Sequence, residues 1–379
     1  MHRTLKTHVM ISLALLAVSL AGTSAYAQPK NVILLIGDGM GPEQVKAASL
    51  YGYGEPGKLF MQQLPVHGQL STDPANGGIT DSAAAGTAMA TGVKVNSGTI
   101  SYKDGEDLPT ILEKFAAEGK STGLLSTDSC GGATPASFGT HTASRKNYDE
   151  IYSDYYTESR PNLLWGGGWQ QPIEDAESAG YTVIRTRDEM KALDPAKDTH
   201  VVGRFSPADM PHEYKYARRI DSRYDRVPHL SEMARAAVEY LSANEKGFFL
   251  MIEGGVLDHT AHRHMLQDTV YETLELDNAA KEVMRWAAGR NDTLVIVTAD
   301  HETGGLKVEE PRGRGEFPEV TWSTGGHTDV DVPLFAWGVG AEEFSGQLDN
   351  TDIHNITVEL PETDEVDSED VEWDLTVSY

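Results

Sequence analysis

Cysteine is almost absent. Cys130 is the single one in 379 residues, so no internal disulfide and no cysteine-based zinc site can form. Cys130 itself reads as a small buried or surface residue, not a catalytic thiol. Basic residues are also scarce: 31 Lys and Arg stand against 58 Asp and Glu, for a net charge of −27. Such a surface repels nucleic acid and anionic lipid, which argues against either as a partner. It would repel any anionic substrate too, so a site for one must carry local positive charge, as bound metal ions do. Internal repeats are missing. There is no Gly-x-Ser-x-Gly elbow, which sets aside an ordinary esterase triad.

Long apolar runs are missing as well. Val9 to Leu20 is the most apolar stretch, about 12 residues against the ~20 that span a bilayer. Arg3 and Lys6 precede it and Ala25-Tyr26-Ala27 follows it. That order is the pattern of a secretory signal peptide over residues 1–27, cut before Gln28, and it implies a periplasmic or secreted protein without a membrane anchor. Loss of Arg3 and Lys6 takes the mature charge from −27 to −29. The acidity is read as an adaptation to salt. From Glu359 to Tyr379 there are nine acids and no Lys or Arg, so 362–379 reads as a solvated acidic tail.

What is present is a globular composition, 39% hydrophobic and 23% charged. Short apolar runs end in Gly or Asp and alternate with helical patterns. Asn31 to Ile36, Ser121 to Ser126, Phe248 to Ile252, Thr293 to Thr298 and Val332 to Trp337 read as strands. Leu108 to Glu118, Leu230 to Leu241 and Val270 to Ala288 read as helices. This alternation predicts an α/β fold: a large, mostly parallel central sheet with helices on both faces. One catalytic domain is expected over 28–361, with 147–226 as an irregular inserted cap region. Lys307 to Val320 reads as a surface loop. Ligands of such folds bind at the carboxyl ends of strands.

Several side chains fall at those ends. Asp38 follows the first strand between Gly37 and Gly39, a fit position for a metal ligand, although many such residues only cap a turn. Ser82 opens a helix of small residues after Asp81, where amides and dipole favour anions. Alone, the pair reads better as a helix cap. Asp258 and His262 are four apart and share one helix face, so they can grip one ion. Glu253 ends the strand before them. Asp300 and His301 follow the strand 293–298, and His327 stands in a Gly-rich loop before 332–337. Together these supply ligands for two or three divalent ions and a serine to attack phosphorus.

The motifs Ile36-Gly37-Asp38-Gly39-Met40, Thr80-Asp81-Ser82-Ala83, Ala133-Thr134-Pro135-Ala136, Glu253-Gly254-Gly255, Asp258 with His262, Thr298-Ala299-Asp300-His301-Glu302 and Gly325-Gly326-His327 resemble those of the alkaline phosphatases. The resemblance runs from about Lys30 to about Gly340. It implies hydrolysis of small phosphate monoesters through a phosphoserine at Ser82, with two zinc ions and one magnesium per chain. By resemblance, Asp258, His262 and His327 hold the first zinc. Asp300, His301 and Asp38 hold the second. Asp38, Thr134 and Glu253 hold magnesium. Arg145 matches the arginine that forks onto phosphate, supported by Asp81, and His259 touches phosphate through water. A homodimer is implied on the same ground.

Two positions depart from the family pattern. Gly132 stands where many members carry Asp or His two residues before the magnesium-binding threonine, so the third site is expected to hold its ion loosely or through water. His259 stands where members vary, and is expected to tune phosphate release. The rival readings are a phosphodiesterase of the same superfamily, which usually uses threonine, and an exported binding protein without turnover. A sulfatase would need a Cys-x-Pro-x-Arg-like setting, which is absent.

Overall fold

An all-apolar strand needs cover on both faces, and the central strands of this chain have it. The computed structural model describes residues 29–360, and ten of its strands form one sheet. In chain order they are β1 (Asn31–Gly37), β2 (Val66–Ser71), β3 (Ser121–Ser129), β4 (Leu163–Gly167), β5 (Thr182–Ile184), β6 (Val201–Ser206), β7 (Phe248–Gly254), β8 (Thr293–Thr298), β9 (Val332–Gly338) and β10 (Gly346–Asp349). Across the sheet they stand β10-β2-β9-β8-β1-β7-β3-β4-β6-β5. β1, β7 and β8 are buried at every position. They pair in parallel, so Leu34 lies beside Ile296 on one side and Met251 on the other.

β9 alone of these ten runs against its neighbours. Its first residues therefore lie at the edge where β8 and β1 end. Thr298 Oγ1 donates to the Pro333 carbonyl at 2.9 Å and ties the two strands there. This is why a histidine that precedes β9 meets side chains that follow β1, β7 and β8.

The helices that matter for the site are α1 (Pro42–Tyr53), α2 (Ser82–Thr91), α3 (Ala133–Gly139), α4 (Leu230–Leu241), α5 (Val256–His262) and α6 (Leu266–Ala287). All ten residues of α2 are buried. Its small residues let it press on α3: a Cβ on Gly86 would lie 2.9 Å from Ser137 Oγ. Ser137 Oγ also donates to the Ala83 carbonyl at 3.2 Å. Among the described residues, no helix is long and apolar enough to cross a membrane.

The strands and helices expected from the sequence are present, with longer ends on several; the helix expected over Leu108 to Glu118 is shorter, Ile111–Ala117. Two expectations need correction. The segment 147–226 is not an irregular cap throughout, because β4, β5 and β6 extend the main sheet. Its glycines are packing devices: a Cβ on Gly166 would meet the Ser126 carbonyl at 2.5 Å, and one on Gly167 the Ala208 carbonyl at 2.2 Å. The stretch 307–320 is not a plain loop. Leu306–Glu310 and Glu319–Trp322 form an antiparallel hairpin, with Leu306 and Val308 buried beneath exposed charges. The leader assigned to 1–27 and the tail assigned to 362–379 lie outside the described residues.

Candidate active site

Ser82 is the first residue of α2 and is buried. Asp81 caps that helix, its Oδ1 accepting the amides of Ala84 at 3.1 Å and Gly98 at 3.0 Å. The other oxygen, Oδ2, accepts from Arg145 Nη1 at 3.0 Å. One carboxylate thus sets both the serine and the arginine. Burial works against the Arg145 charge, and Asp81 outweighs it.

The three histidines gather beside Ser82. His262 Nδ1 lies 2.7 Å from the Gly325 carbonyl, and His327 Nδ1 lies 2.9 Å from the Thr80 carbonyl. A carbonyl can only accept, so each Nδ1 carries a proton and Nε2 is the corner each ring presents to the site; the Asp258 carboxylate beside it pushes the His262 imidazole up from its ordinary value. Those two Nε2 atoms are 3.2 Å apart. Asp258 flanks them, with Oδ2 3.3 Å from His262 Nε2 and Oδ1 3.6 Å from His327 Nε2. Two imidazole nitrogens and a carboxylate thus face one point, a donor set that suits a divalent cation.

His301 repeats the pattern. Thr303 Oγ1 donates to Asp258 Oδ1 at 2.5 Å and lies 3.3 Å from His301 Nδ1. Its proton is committed to Asp258, so toward His301 it accepts. The lone pair of His301 Nε2 then faces Ser82 Oγ at 3.3 Å, Asp300 Oδ2 at 3.2 Å and Asp38 Oδ1 at 3.5 Å. Asp300 Oδ1 accepts the amides of Gly39 and His301. Asp300 Oδ2 and Asp38 Oδ1 are buried with no hydrogen-bond partner among the described residues. The ring of His301 stacks on His327 at 3.6 Å between centroids. Gly39 is left-handed at φ +74°, and a Cβ there would lie 3.0 Å from Asp258 Oδ1, so glycine is required at this turn.

A third pole involves Glu253, whose charge is felt at Asp38. Glu253, at the end of β7, accepts a short hydrogen bond from Ser126 Oγ. Thr134 Oγ1, on α3, is buried without a hydrogen-bond partner among the described residues. Orphaned oxygens here and at Asp38 and Asp300 fit hard or borderline divalent cations, and the imidazole lone pairs fit zinc.

Charge states report the crowding. Burial, then the charges of Asp300, Asp258 and Glu253, push the Asp38 carboxyl well above its usual range. Burial, then Asp128, pushes Glu253 up to about 8. Burial would raise Asp258 as well, but His262, His301 and Thr303 hold it below the ordinary carboxylate range. Burial depresses His301. Carboxylates this close, with so few cationic side chains, describe a site built for added positive charge.

The structure therefore brings Asp38, Ser82, Asp258, His262, Asp300, His301 and His327 to one place, with Asp81 and Arg145 paired next to Ser82. It regroups them in one respect: ligand atoms within 4.8 Å of one another come from Asp258, His262 and His327, and from Asp38, Asp258 and His301, so Asp258 faces both groups. Four residues of the site escaped the sequence. Asp128 ends β3 and could have been found by the rule that found Asp38. Thr303, Ser126 and Asp209 carry no sequence signal. Asp209 Oδ2 holds His259 Nδ1 at 3.1 Å and pushes that imidazole up to about 9.

The sequence model of the alkaline phosphatase family matches residues 29–163 and 155–318. Alkaline phosphatase 3 of Bacillus subtilis is 31% identical, over 86% of this chain and 87% of its own. The alkaline phosphatase of Escherichia coli is 30% identical, over 86% and 84%. Among solved structures, alkaline phosphatase from the Antarctic bacterium TAB5 superposes with a TM-score of 0.78 at 28% identity, covering 90% of this chain and 100% of that one. A variant of that enzyme was solved with magnesium in its M3 site. Agreement of this extent, on a sheet edge of this geometry, makes the chain a phosphatase that belongs to the alkaline phosphatase family.

Proposed function

We propose that this protein is an exported enzyme that hydrolyses phosphate monoesters through a phosphoserine at Ser82. The observation that carries the reading is the convergence of the His262, His327 and His301 lone pairs and the Asp38, Asp258 and Asp300 carboxylates beside that hydroxyl. Asp258, His262 and His327 would hold one zinc; Asp38, Asp300 and His301 would hold the second. Asp38, Thr134 and Glu253 would hold magnesium. Zinc held by these residues would lower the pKa of a hydroxyl and stabilise a departing oxygen.

The chain's own groups do the rest. Arg145 offers a planar fork to two phosphate oxygens, pre-aimed by Asp81. The amides at the start of α2 add a positive field at the phosphate. Ser82 Oγ forms the new bond to phosphorus as the bond to the alcohol oxygen breaks, and water then cleaves the phosphoserine to free serine and phosphate. His259, held by Asp209, adds a cation at the rim that tunes phosphate release.

Elemental analysis tests the reading. About two zinc per chain are expected, and a protein purified intact without bound metal would sink it. Rates on a monoester and a diester of one phenol decide the reaction class. A faster diester would favour the phosphodiesterase alternative.

A further inference from the structure

Asp128 lies outside every ligand set named above, yet it sits against them. Its amide donates to Ser126 Oγ at 2.8 Å, and the same hydroxyl donates to Glu253. Two glycines make room for its side chain. A Cβ on Gly132 would lie 2.7 Å from Asp128 Oδ2. A Cβ on Gly255 would lie 2.7 Å from Asp128 Cβ and 3.1 Å from Glu253 Oε2. Neither glycine has a left-handed backbone, with φ −60° at Gly132 and −72° at Gly255. They are small for the sake of space, which at Gly132 is shared by the Asp128 carboxylate and the Ser129 carbonyl, 2.8 Å from such a Cβ. From there Asp128 reaches Asp209 and His259, with ligand atoms of the three within 4.8 Å of one another.

The neighbouring pole is short of donors. Asp38, Thr134 and Glu253 give three side chains, with Thr134 Oγ1 and Asp38 Oδ1 still unpartnered among the described residues. Magnesium takes about six oxygens and keeps several waters. Those waters need acceptors for their protons, and outer partners of this kind fix a metal's affinity.

We propose that Asp128 is a positioning residue of the magnesium pole: its carboxylate occupies the space in front of Gly132 and, with Asp209 and His259, anchors the water shell of the third cation. This rests on the third-site reading above. It turns the missing side chain at 132 into a relocation, in which the carboxylate comes from the end of β3 instead of the start of α3.

The test is magnesium binding to the zinc-loaded enzyme, followed by isothermal titration. Asp128→Ala, and the isosteric Asp128→Asn, should each weaken magnesium by about 10–100-fold while zinc content and circular dichroism stay unchanged. Wild-type magnesium affinity in both single variants would overturn the proposal, as would a lower melting temperature with no change in affinity. Glu253→Gln separates the two claims. If it abolishes magnesium binding while Asp128→Ala does not, the third site stands and the role of Asp128 fails. If Glu253→Gln binds magnesium normally, the third-site reading fails and takes this proposal with it.

Discussion

Two regions of the molecule bury carboxylates and histidines together. One is the sheet edge around Ser82. The other lies where Glu213 and His229 meet α6, beside Glu272 and Glu275. By residue type they look alike. They differ in where the hydrogen bonds go. In the second cluster His229 Nδ1 is 2.9 Å from Glu213 Oε1, and Glu272 accepts the Glu213 amide at 2.9 Å. Glu275 accepts from the Ser231 amide at 2.8 Å and from Asn278 at 3.1 Å. At the sheet edge, oxygens are left over and two imidazole nitrogens confront each other. A demand for metal is thus read from unpaired atoms, not from a count of acids and histidines. The second cluster satisfies itself, under electrostatic strain: burial, then the Glu213 charge, push Glu275 up to about 7 and Glu272 well above its usual range.

The sharpest break between the regions is chemical. Ser82→Ala should lower kcat on a monoester by on the order of 10³ or more, with zinc content unchanged. Wild-type turnover in that variant would refute the nucleophile assignment. Chelation comes next. Removing divalent ions should abolish activity and lower the melting temperature by about 5–10 °C, with recovery on zinc and magnesium. A chelator that leaves both untouched would erase the distinction.

The second cluster predicts a subtler effect. A carboxyl whose pKa rises on folding stabilises while protonated, and that contribution is lost as pH climbs from its ordinary value of 4.5 toward about 7 for Glu275. Glu275→Gln can keep an acceptor for the Ser231 amide. It should make the melting temperature fall less between about pH 5 and about pH 8, and by the same amount with or without chelator. An unchanged slope would show that Glu275 is not strained. The smallest effect is expected from salt. Sodium chloride should raise the melting temperature by a few degrees by screening the acidic surface, and a flat response would end the reading of a salt adaptation.

Much of the sheet was legible because β1, β7 and β8 are continuous apolar runs, and strand ends mark the candidate ligand positions. Asp38, Glu253 and Asp300 were found that way. The hairpin at 306–322 was not, since its charged outer face masks the alternation of Leu306 and Val308. Strands β4 to β6 were obscured by glycines that look like loop punctuation and are packing requirements. Thr303 and Asp209 act through contacts between segments far apart in sequence, which no local pattern encodes. Ser82 alone reads as a cap, and it is also a cap's neighbour in the structure. Only the histidines around it distinguish the two roles.

The reversed direction of β9 has a further consequence. The chain departs the sheet after Thr298 and re-enters at Val332, and both points are fastened at the same edge. The excursion pairs with itself, Glu302 beside Thr328 and Thr303 beside His327. It carries Asp300, His301 and His327 and begins and ends side by side. It is a cassette: exchanged whole between relatives, it would carry three candidate ligands in one graft, fastened to the sheet at neighbouring points.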